Sequence, residues 1–297
     1  MSKTRAGTVA LVGWTNVGKS TLLNRLVGVK IAAVADAAQT TRHRITGVRN
    51  IEDRGQIAFT DTPGWHHPRH RMNRRMMELT RQSLGGVDCV AWLLDASRGL
   101  GPGDREVADL LRKLDTPRVA VLNKIDRVGN KSKLLPVMEE IGSWSAFEEI
   151  IPISASSGNG CDRLLEALLA LMPEGPPLFD DDFLTDQSQR QLVAEYVREQ
   201  LVRRTREELP HATAVTIDRW DDDNPELLRI EATILVDRDS HKKIVIGKQG
   251  NVLKEVGTAA RLGIEELLDC RVFLRLWVRV SRDWREDDAT LREIGLG

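Results

Sequence analysis

Gly13-Trp14-Thr15-Asn16-Val17-Gly18-Lys19-Ser20-Thr21 has residue types and a spacing that suit one kind of chemistry, the binding of a polyphosphate. In G-x-x-x-x-G-K-S the glycines let backbone N–H groups wrap phosphate oxygens. The lysine bridges the β- and γ-phosphates, and the serine hydroxyl ligates Mg²⁺. The stretch follows the apolar "VALVG" and precedes the helix-like "STLLNRLV", so the loop opens on a helix N-terminus whose positive end favours anions. The expected contacts are Gly13, Asn16, Val17, Gly18, Lys19, Ser20 and Thr21. A glycine turn with an incidental Lys-Ser would share the spacing, but further elements follow in the order that a nucleotide site needs.

Asp61-Thr62-Pro63-Gly64 closes an apolar run. Asp61 is placed to hold Mg²⁺ through water. The Gly64 N–H can meet a γ-phosphate, because glycine allows close backbone approach. Asn123-Lys124-Ile125-Asp126 closes another run. The Asp126 carboxylate can accept from both the ring N–H and the exocyclic amine of guanine. Adenine offers no such pair, so the wrong base leaves a buried charge unsatisfied. Asn123 would brace the loop and Lys124 would lie along the base. In Ile153-Ser154-Ala155-Ser156 the Ala155 N–H can donate to the guanine carbonyl, with Ser154 beside it. Each tetrapeptide is a weak signal alone. In this order, each after an apolar run, they indicate a domain that binds GTP and GDP.

Strands must carry these motifs. Short, nearly continuous apolar runs at 9–12, 57–60, 89–94, 118–122 and 150–153 alternate with helix-like stretches at 20–27, 72–84, 105–114, 134–141 and 163–171. That alternation predicts an α/β domain with a mostly parallel sheet, and with the motifs above it reads as a P-loop GTPase domain over 6–173. One segment departs from it: "RITGVRNIEDRGQIAFTDT" reads as an antiparallel edge hairpin turning at Glu52–Gly55. Prolines, a glycine and an acidic triplet mark residues 174–186 as a linker. Beyond it an amphipathic helix over 187–209, stopped by Pro210, precedes two strands, two helical stretches and a last strand, "VFLRLWVRV". The order α-β-β-α-α-β predicts a compact α+β domain over 187–285. The tail, which begins at Ser281 and whose last part is 286–297, reads as polar and exposed.

Bulk properties exclude several classes. The 297 residues are 41% hydrophobic and 29% charged, and no apolar run approaches the roughly 20 residues that span a bilayer. The first residues carry no secretory pattern. Cys89, Cys161 and Cys270 form neither a metal spacing nor a disulfide framework, which suits a reducing cytosol. The net charge of −1 hides an asymmetry. From Leu178 onward 19 Lys and Arg stand against 25 Asp and Glu, a net of −6, and the preceding residues carry +5. A nucleic-acid site in the second domain must therefore be a local basic patch.

Ile244–Leu268 supplies one. Gly247-Lys248-Gln249-Gly250 sits between two helical patterns, with Lys242, Lys243, Lys248, Lys254 and Arg261 close by and Glu255 opposing them. A G-x-x-G turn with this element order resembles the type II KH domain, whose exposed turn lets an RNA backbone approach while bases lie in an apolar groove. The expected RNA contacts are Lys242, Lys243, Ile246, Gly247, Lys248, Gln249, Gly250 and Lys254. In the last strand Phe273, Arg275, Trp277 and Arg279 can be read as a stacking platform; packing at the sheet's second face or at a domain interface is the preferred reading.

"NVGKSTLLN", "QTTRHR", "DTPGWH" and "NKID" together resemble the TrmE–Era–EngA-like branch of the translation-factor-related GTPases, and the Era family in particular, over roughly residues 6–290. The resemblance implies a switch I loop over 31–44 in which Thr41 ligates Mg²⁺ in the GTP state, with Thr40 the alternative. It makes Lys19, Thr41 and Gly64 the catalytic set and Asn16 a ligand for K⁺, an ion that can neutralise developing charge where an arginine finger otherwise would. Trp65 stands where many GTPases carry a water-positioning glutamine, so backbone or a supporting group must hold the water and hydrolysis is expected to be slow. His66 and His67 read as mobile loop residues, not bases. Trp14, Thr15 and Trp65 depart from the usual family pattern. The implied function is a GTP-hydrolysing switch that binds 16S rRNA near its 3′ end and assists assembly of the small (30S) ribosomal subunit. It would act in the cytoplasm as a monomer, without DNA. Peripheral membrane association follows from the resemblance alone. The alternatives are a nucleotide-gated RNA-binding module with negligible hydrolysis, or another RNA-modification or ribosome-assembly GTPase.

Overall fold

The computed structural model describes residues 4–35, 41–68, 70–144, 146–205, 209 and 212–296. They divide into two units, one of Met1–Ala32, Thr41–Pro68 and Met76–Asp186, the other of Ala33–Thr40, Arg69–Arg75 and Gln187–Gly297.

In the first unit β1 (Arg5–Gly13), β2 (Ile45–Ile51), β3 (Gly55–Asp61), β4 (Cys89–Asp95), β5 (Arg118–Asn123) and β6 (Glu149–Pro152) form one sheet in the order β2-β3-β1-β4-β5-β6. All pairs are parallel except β2 with β3, the predicted edge hairpin, in which Ile45 faces Asp61 and Ile51 faces Gly55. The reason for the unbroken apolar runs is visible in β1 and β4. Val9, Leu11, Cys89, Ala91 and Leu93 enter one apolar cluster, and Ala10, Val12, Val90, Trp92 and Leu94 enter the other. A strand buried on both faces cannot afford alternation. Helices α1 (Lys19–Val27), α2 (Arg71–Gln82), α3 (Pro102–Leu111), α4 (Leu134–Trp144) and α5 (Cys161–Leu171) connect the strands.

Residues 174–186, read as a linker, run along the hairpin within this unit. Val48 N–H donates to Leu184 O at 2.9 Å, and the buried Gln56 carboxamide accepts from Leu178 and Phe179 N–H and donates to Phe179 O. The stretch thereby satisfies β2 backbone groups that an edge strand otherwise leaves to solvent.

The second unit holds α6 (Gln189–Arg204), β7 (Thr213–Asp221), β8 (Leu228–Val236), α7 (Asp239–Ile246), α8 (Asn251–Leu268), β9 (Val272–Val280) and α9 (Asp288–Glu293). The first six reproduce the predicted α-β-β-α-α-β order. The sheet runs β7-β8-β9, with β7 antiparallel and β9 parallel to β8. Its core face, with Ile230, Ala232 and Ile234, packs on Val193, Val197 and Leu201 of α6 and on Val256, Ala260 and Ile264 of α8. Helix α6 ends at Arg204, where the Thr205 hydroxyl bonds back to Leu201 O; Pro210 lies outside the described residues.

Two expectations are corrected here. The tail is not wholly exposed: Trp284, Leu291 and Leu296 are buried, and the Asp287 carboxylate caps α9 by accepting from Thr290 N–H. Three apolar residues among charges suffice to dock a short segment, a spacing too sparse to read as a pattern. Nor are Phe273 and Trp277 packed: they are 44% and 54% exposed, because the helices of this domain cover only the other face of the sheet. Among the described residues no helix is long and apolar enough to cross a membrane.

Trp284 is fully buried and its indole N–H donates to Ala212 O at 3.3 Å. Trp284→Ala is expected to lower unfolding free energy by about 3–5 kcal/mol, read from the midpoint of urea denaturation. A loss below 1 kcal/mol would mean that the tail contributes little to the domain.

Candidate functional site

The polar groups of the first unit gather where its strands end. Gly13 closes β1, Asp61 closes β3, Asp95 closes β4 and Asn123 closes β5. The loop from Gly13 to Gly18 leads into α1. Asn16 and Gly18 take left-handed backbone (φ 63° and 100°), and a Cβ on Gly18 would fall 2.3 Å from the Asn123 Nδ2, so only glycine fits there. The Trp14 ring lies against the backbone of Gly103 and edge-on to His67.

Lys19 is buried, its ammonium donating to Gly13 O (3.2 Å) and Trp14 O (3.0 Å). Burial pushes its pKa down to about 8, and the Asp61 charge opposes that shift in part. Asp61 is itself wholly buried. Its Oδ2 accepts from Ser20 Oγ (2.7 Å) and Thr41 Oγ1 (3.0 Å), the two hydroxyls standing 2.5 Å apart. Burial raises the Asp61 pKa; Lys19, Ser20 and Thr41 pull against it. Its Oδ1 is buried without a hydrogen-bond partner among the described residues. A carboxylate oxygen left unsatisfied beside two hydroxyls is a hard oxygen donor set, the kind that Mg²⁺ takes. Thr40 lies outside the described residues; Thr41 is the threonine brought to Asp61.

Beyond Asp61 the chain is tied to the phosphate loop. Trp65 N–H donates to Gly13 O at 3.0 Å, Thr62 Oγ1 to Leu11 O at 2.9 Å, and a Cβ on Gly64 would come within 2.8 Å of Thr15 Cα. His66 differs from expectation: it is buried, with Nδ1 2.6 Å from Gly64 O. Burial lowers its pKa, the Gly64 bond opposing, so the neutral ring donates its Nδ1–H to that carbonyl. His67 is exposed, 3.4 Å from Glu106.

At the other end of the loop Asn123 uses both faces of its carboxamide. Nδ2 donates to Val17 O at 2.8 Å, and Oδ1 accepts the Ala155 N–H at 2.9 Å. The donor expected to point at a guanine carbonyl is thus engaged within the chain, and a base would share it. Lys124, in left-handed backbone, donates to Asn16 O (2.5 Å) and Asp95 Oδ2 (2.7 Å). The exposed Asp126 carboxylate accepts from the Ser154 side chain, which holds its pKa low. Two further residues support this end without having been singled out in the sequence. Asp95 anchors Lys124; burial pushes its carboxyl up, but Lys124 and Ser97 hold it below the usual range. Arg25 of α1 donates to Ala155 O (3.3 Å) and Ser156 O (2.6 Å). An aspartate ending an otherwise apolar strand was a signal for Asp95; nothing in the sequence singles out Arg25 among helix arginines.

In the second unit α7 ends at Gly247, a short 3₁₀ turn covers Lys248–Gly250, and α8 follows. Gly247, Gln249 and Gly250 all have positive φ (74°, 54° and 79°). Lys243, Lys248 and Lys254 are exposed, and Lys242 is half-buried. None of these lysines makes an ion pair among the described residues, whereas Glu255 lies 3.9 Å from Arg204 and Arg261 pairs with Glu265. Ile246 is partly buried, and Ile244, unassigned in the sequence, stands 51% exposed beside the turn.

Comparison with known proteins agrees with this geometry. Residues 8–124 match the family described as 50S ribosome-binding GTPase, and residues 208–285 match the KH domain. The chain is similar to Era in its crystal structure with MgGDPNP and nucleotides 1506–1542 of 16S ribosomal RNA: 42% identity, 99% of each chain covered, TM-score 0.95. It is equally similar to a single-residue variant of Aquifex aeolicus Era bound to GDP·AlF4⁻, at 42% identity over 99% of this chain and 100% of that one, TM-score 0.95.

Lys19 gives a measurable linkage. With its pKa near 8 in the free protein, phosphate oxygens around the ammonium must raise it. GDP binding at pH 8.5 is therefore expected to take up a large fraction of a proton, with affinity falling as pH rises through 8. Calorimetry in two buffers of different ionisation enthalpy measures the uptake. A buffer-independent heat would show that Lys19 is already fully charged.

Proposed function

The chain belongs to the Era family of GTPases, and we propose that it is a GTP-driven switch that binds 16S rRNA near its 3′ end and assists assembly of the 30S subunit in the cytoplasm. The observation that carries the GTPase half is the convergence of Lys19, Ser20 and Thr41 on the buried Asp61 carboxylate. The RNA half is supported by the likeness to Era in complex with 16S rRNA and by the lysines around Gly247–Gly250, which make no ion pair among the described residues.

In this reading Lys19 leaves the Gly13 and Trp14 carbonyls for the β- and γ-phosphate oxygens, with the N–H groups from Asn16 to Thr21 around them. Ser20, Thr41 and Asp61 hold Mg²⁺. With the ion held by these three residues, the site would have the charge neutralisation that the transferring phosphoryl group needs. Gly64 N–H is directed to the γ-phosphate. Trp65 offers an indole N–H but no acceptor for a water proton, so backbone or a supporting group holds the water, and Asn16 is the proposed ligand for K⁺. Asp126 reads the guanine N–H groups, Asn123 braces the loop, Lys124 lies along the base, and Ser154 and Ala155 close the pocket. Lys242, Lys243, Ile246, Gly247, Lys248, Gln249, Gly250 and Lys254 form the RNA contact.

Single-turnover GTP hydrolysis, in K⁺ and in Na⁺ and with and without the 16S segment, tests the whole. The expected result is slow turnover, faster in K⁺ and changed by RNA. Equal rates in both salts remove the Asn16 role, and no measurable hydrolysis favours a nucleotide-gated binder. Base reading has its own test. Asp126→Asn removes the carboxylate that accepts two guanine donors and is expected to weaken GDP by about 2–3 kcal/mol. It should gain affinity for XDP, whose 2-oxo group can accept from the new amide. Unchanged GDP affinity, measured by competition, would move base recognition elsewhere.

A further inference from the structure

The alternating strand β9 leaves an open strip on the sheet face opposite the helices. Arg229, Glu231 and Thr233 of β8 stand level with Phe273, Arg275 and Trp277 of β9 in the parallel register. Phe273 and Trp277 are 44% and 54% exposed, about 13 Å apart along the strand, so each ring has room for its own partner. The Arg275 guanidinium lies 5.6 Å from the Phe273 ring centroid and 3.4 Å from Glu231. Arg229 and Arg279 are exposed and make no ion pair among the described residues. Exposed aromatics on an edge strand are a hazard that a folded domain ordinarily avoids. Here they are interleaved with arginines in a part of the chain whose overall charge is negative.

We propose that this strip is a second RNA-contact surface, on which unpaired bases stack on Phe273 and Trp277 while Arg229, Arg275 and Arg279 meet phosphates. The proposal rests on the rRNA-binding reading above and extends it. Helices α7 and α8, which carry the Gly247–Gly250 turn, pack on the core face of the sheet, so one RNA reaches both surfaces by passing round the edge strand β9. Flat rings accept any base, and Arg229 and Arg279, which make no ion pair among the described residues, offer their charge to a polyanion, while Glu231 engages Arg275.

The test compares two RNAs by fluorescence anisotropy: the segment of nucleotides 1506–1542 and a short single-stranded oligonucleotide from within it that fills only the G-x-x-G groove. Phe273→Ala with Trp277→Ala is expected to weaken the long RNA about 5- to 100-fold and leave the short one unchanged. Trp277→Phe should retain most of the affinity and Trp277→Leu should lose it. Lys248→Glu should weaken both RNAs. If Lys248→Glu weakens both but the double variant leaves the long RNA unaffected, the strip is overturned and the rRNA reading stands. Equal weakening of both RNAs by the double variant also overturns it, as a distortion of the groove. If the double variant loses 30S binding with RNA affinity intact, the strip contacts protein and the proposal fails. If the wild-type protein binds neither RNA, the rRNA reading itself fails and takes the strip with it.

Discussion

When both faces of a sheet are apolar, the polar chemistry of a domain has one place left, the ends of the strands. That constraint organises the first unit. Val9 and Leu11 face one cluster, Ala10 and Val12 the other, and the same holds along β4. A charged side chain in mid-strand would meet hydrocarbon on either side. Gly13, Asp61, Asp95 and Asn123 instead close four neighbouring strands at their carboxyl ends. This is where ligands sit in open α/β sheets. The site is the part of the domain where burial and polarity are forced together.

The forced proximity has electrostatic consequences. Asp61 and Lys19 are both buried, and each is shifted toward its neutral form. Neither is fully satisfied inside the protein: Lys19 takes up backbone carbonyls, and one Asp61 oxygen has no partner among the described residues. A buried charge pair of this kind is weak evidence of stability; its arrangement suits ligands that bring the missing charges. Asn123 does the opposite work. With Val17 O on one side and Ala155 N–H on the other, it engages both its amine and its carbonyl within the chain and joins the phosphate loop to the base loop. Replacing it would unfasten both. Asp95 and Arg25 extend the same bracing outward, one to Lys124 and one to the carbonyls of the base loop.

The second unit obeys a different constraint. Its three strands are covered by helices on one face only, so β9 alternates where β4 does not. One consequence is the G-x-x-G turn between two helices that pack on the core face. The other is a sheet face with aromatic and arginine side chains left in solvent. A domain of this size cannot bury both faces of its sheet without a further layer.

The linear sequence alone determined what depends on neighbours along the chain. The phosphate loop, the guanine motifs and the G-x-x-G turn were legible as residue spacings, because backbone geometry ties them to local glycines and strand ends. The element order was legible as well, because unbroken apolar runs and alternating ones report how many faces of a strand are covered. Tertiary structure decided what depends on partners far apart in sequence. That Asp61 Oδ2 collects Ser20 and Thr41, that Asp95 holds Lys124, that Arg25 reaches the base loop and that His66 is buried are facts of packing between separate strand ends. The docking of Trp284, Leu291 and Leu296 was hidden by their charged neighbours, since three apolar residues set no period. The exposure of Phe273 and Trp277 could not be read from alternation, which says that a strand has two unlike faces but not whether the second is covered.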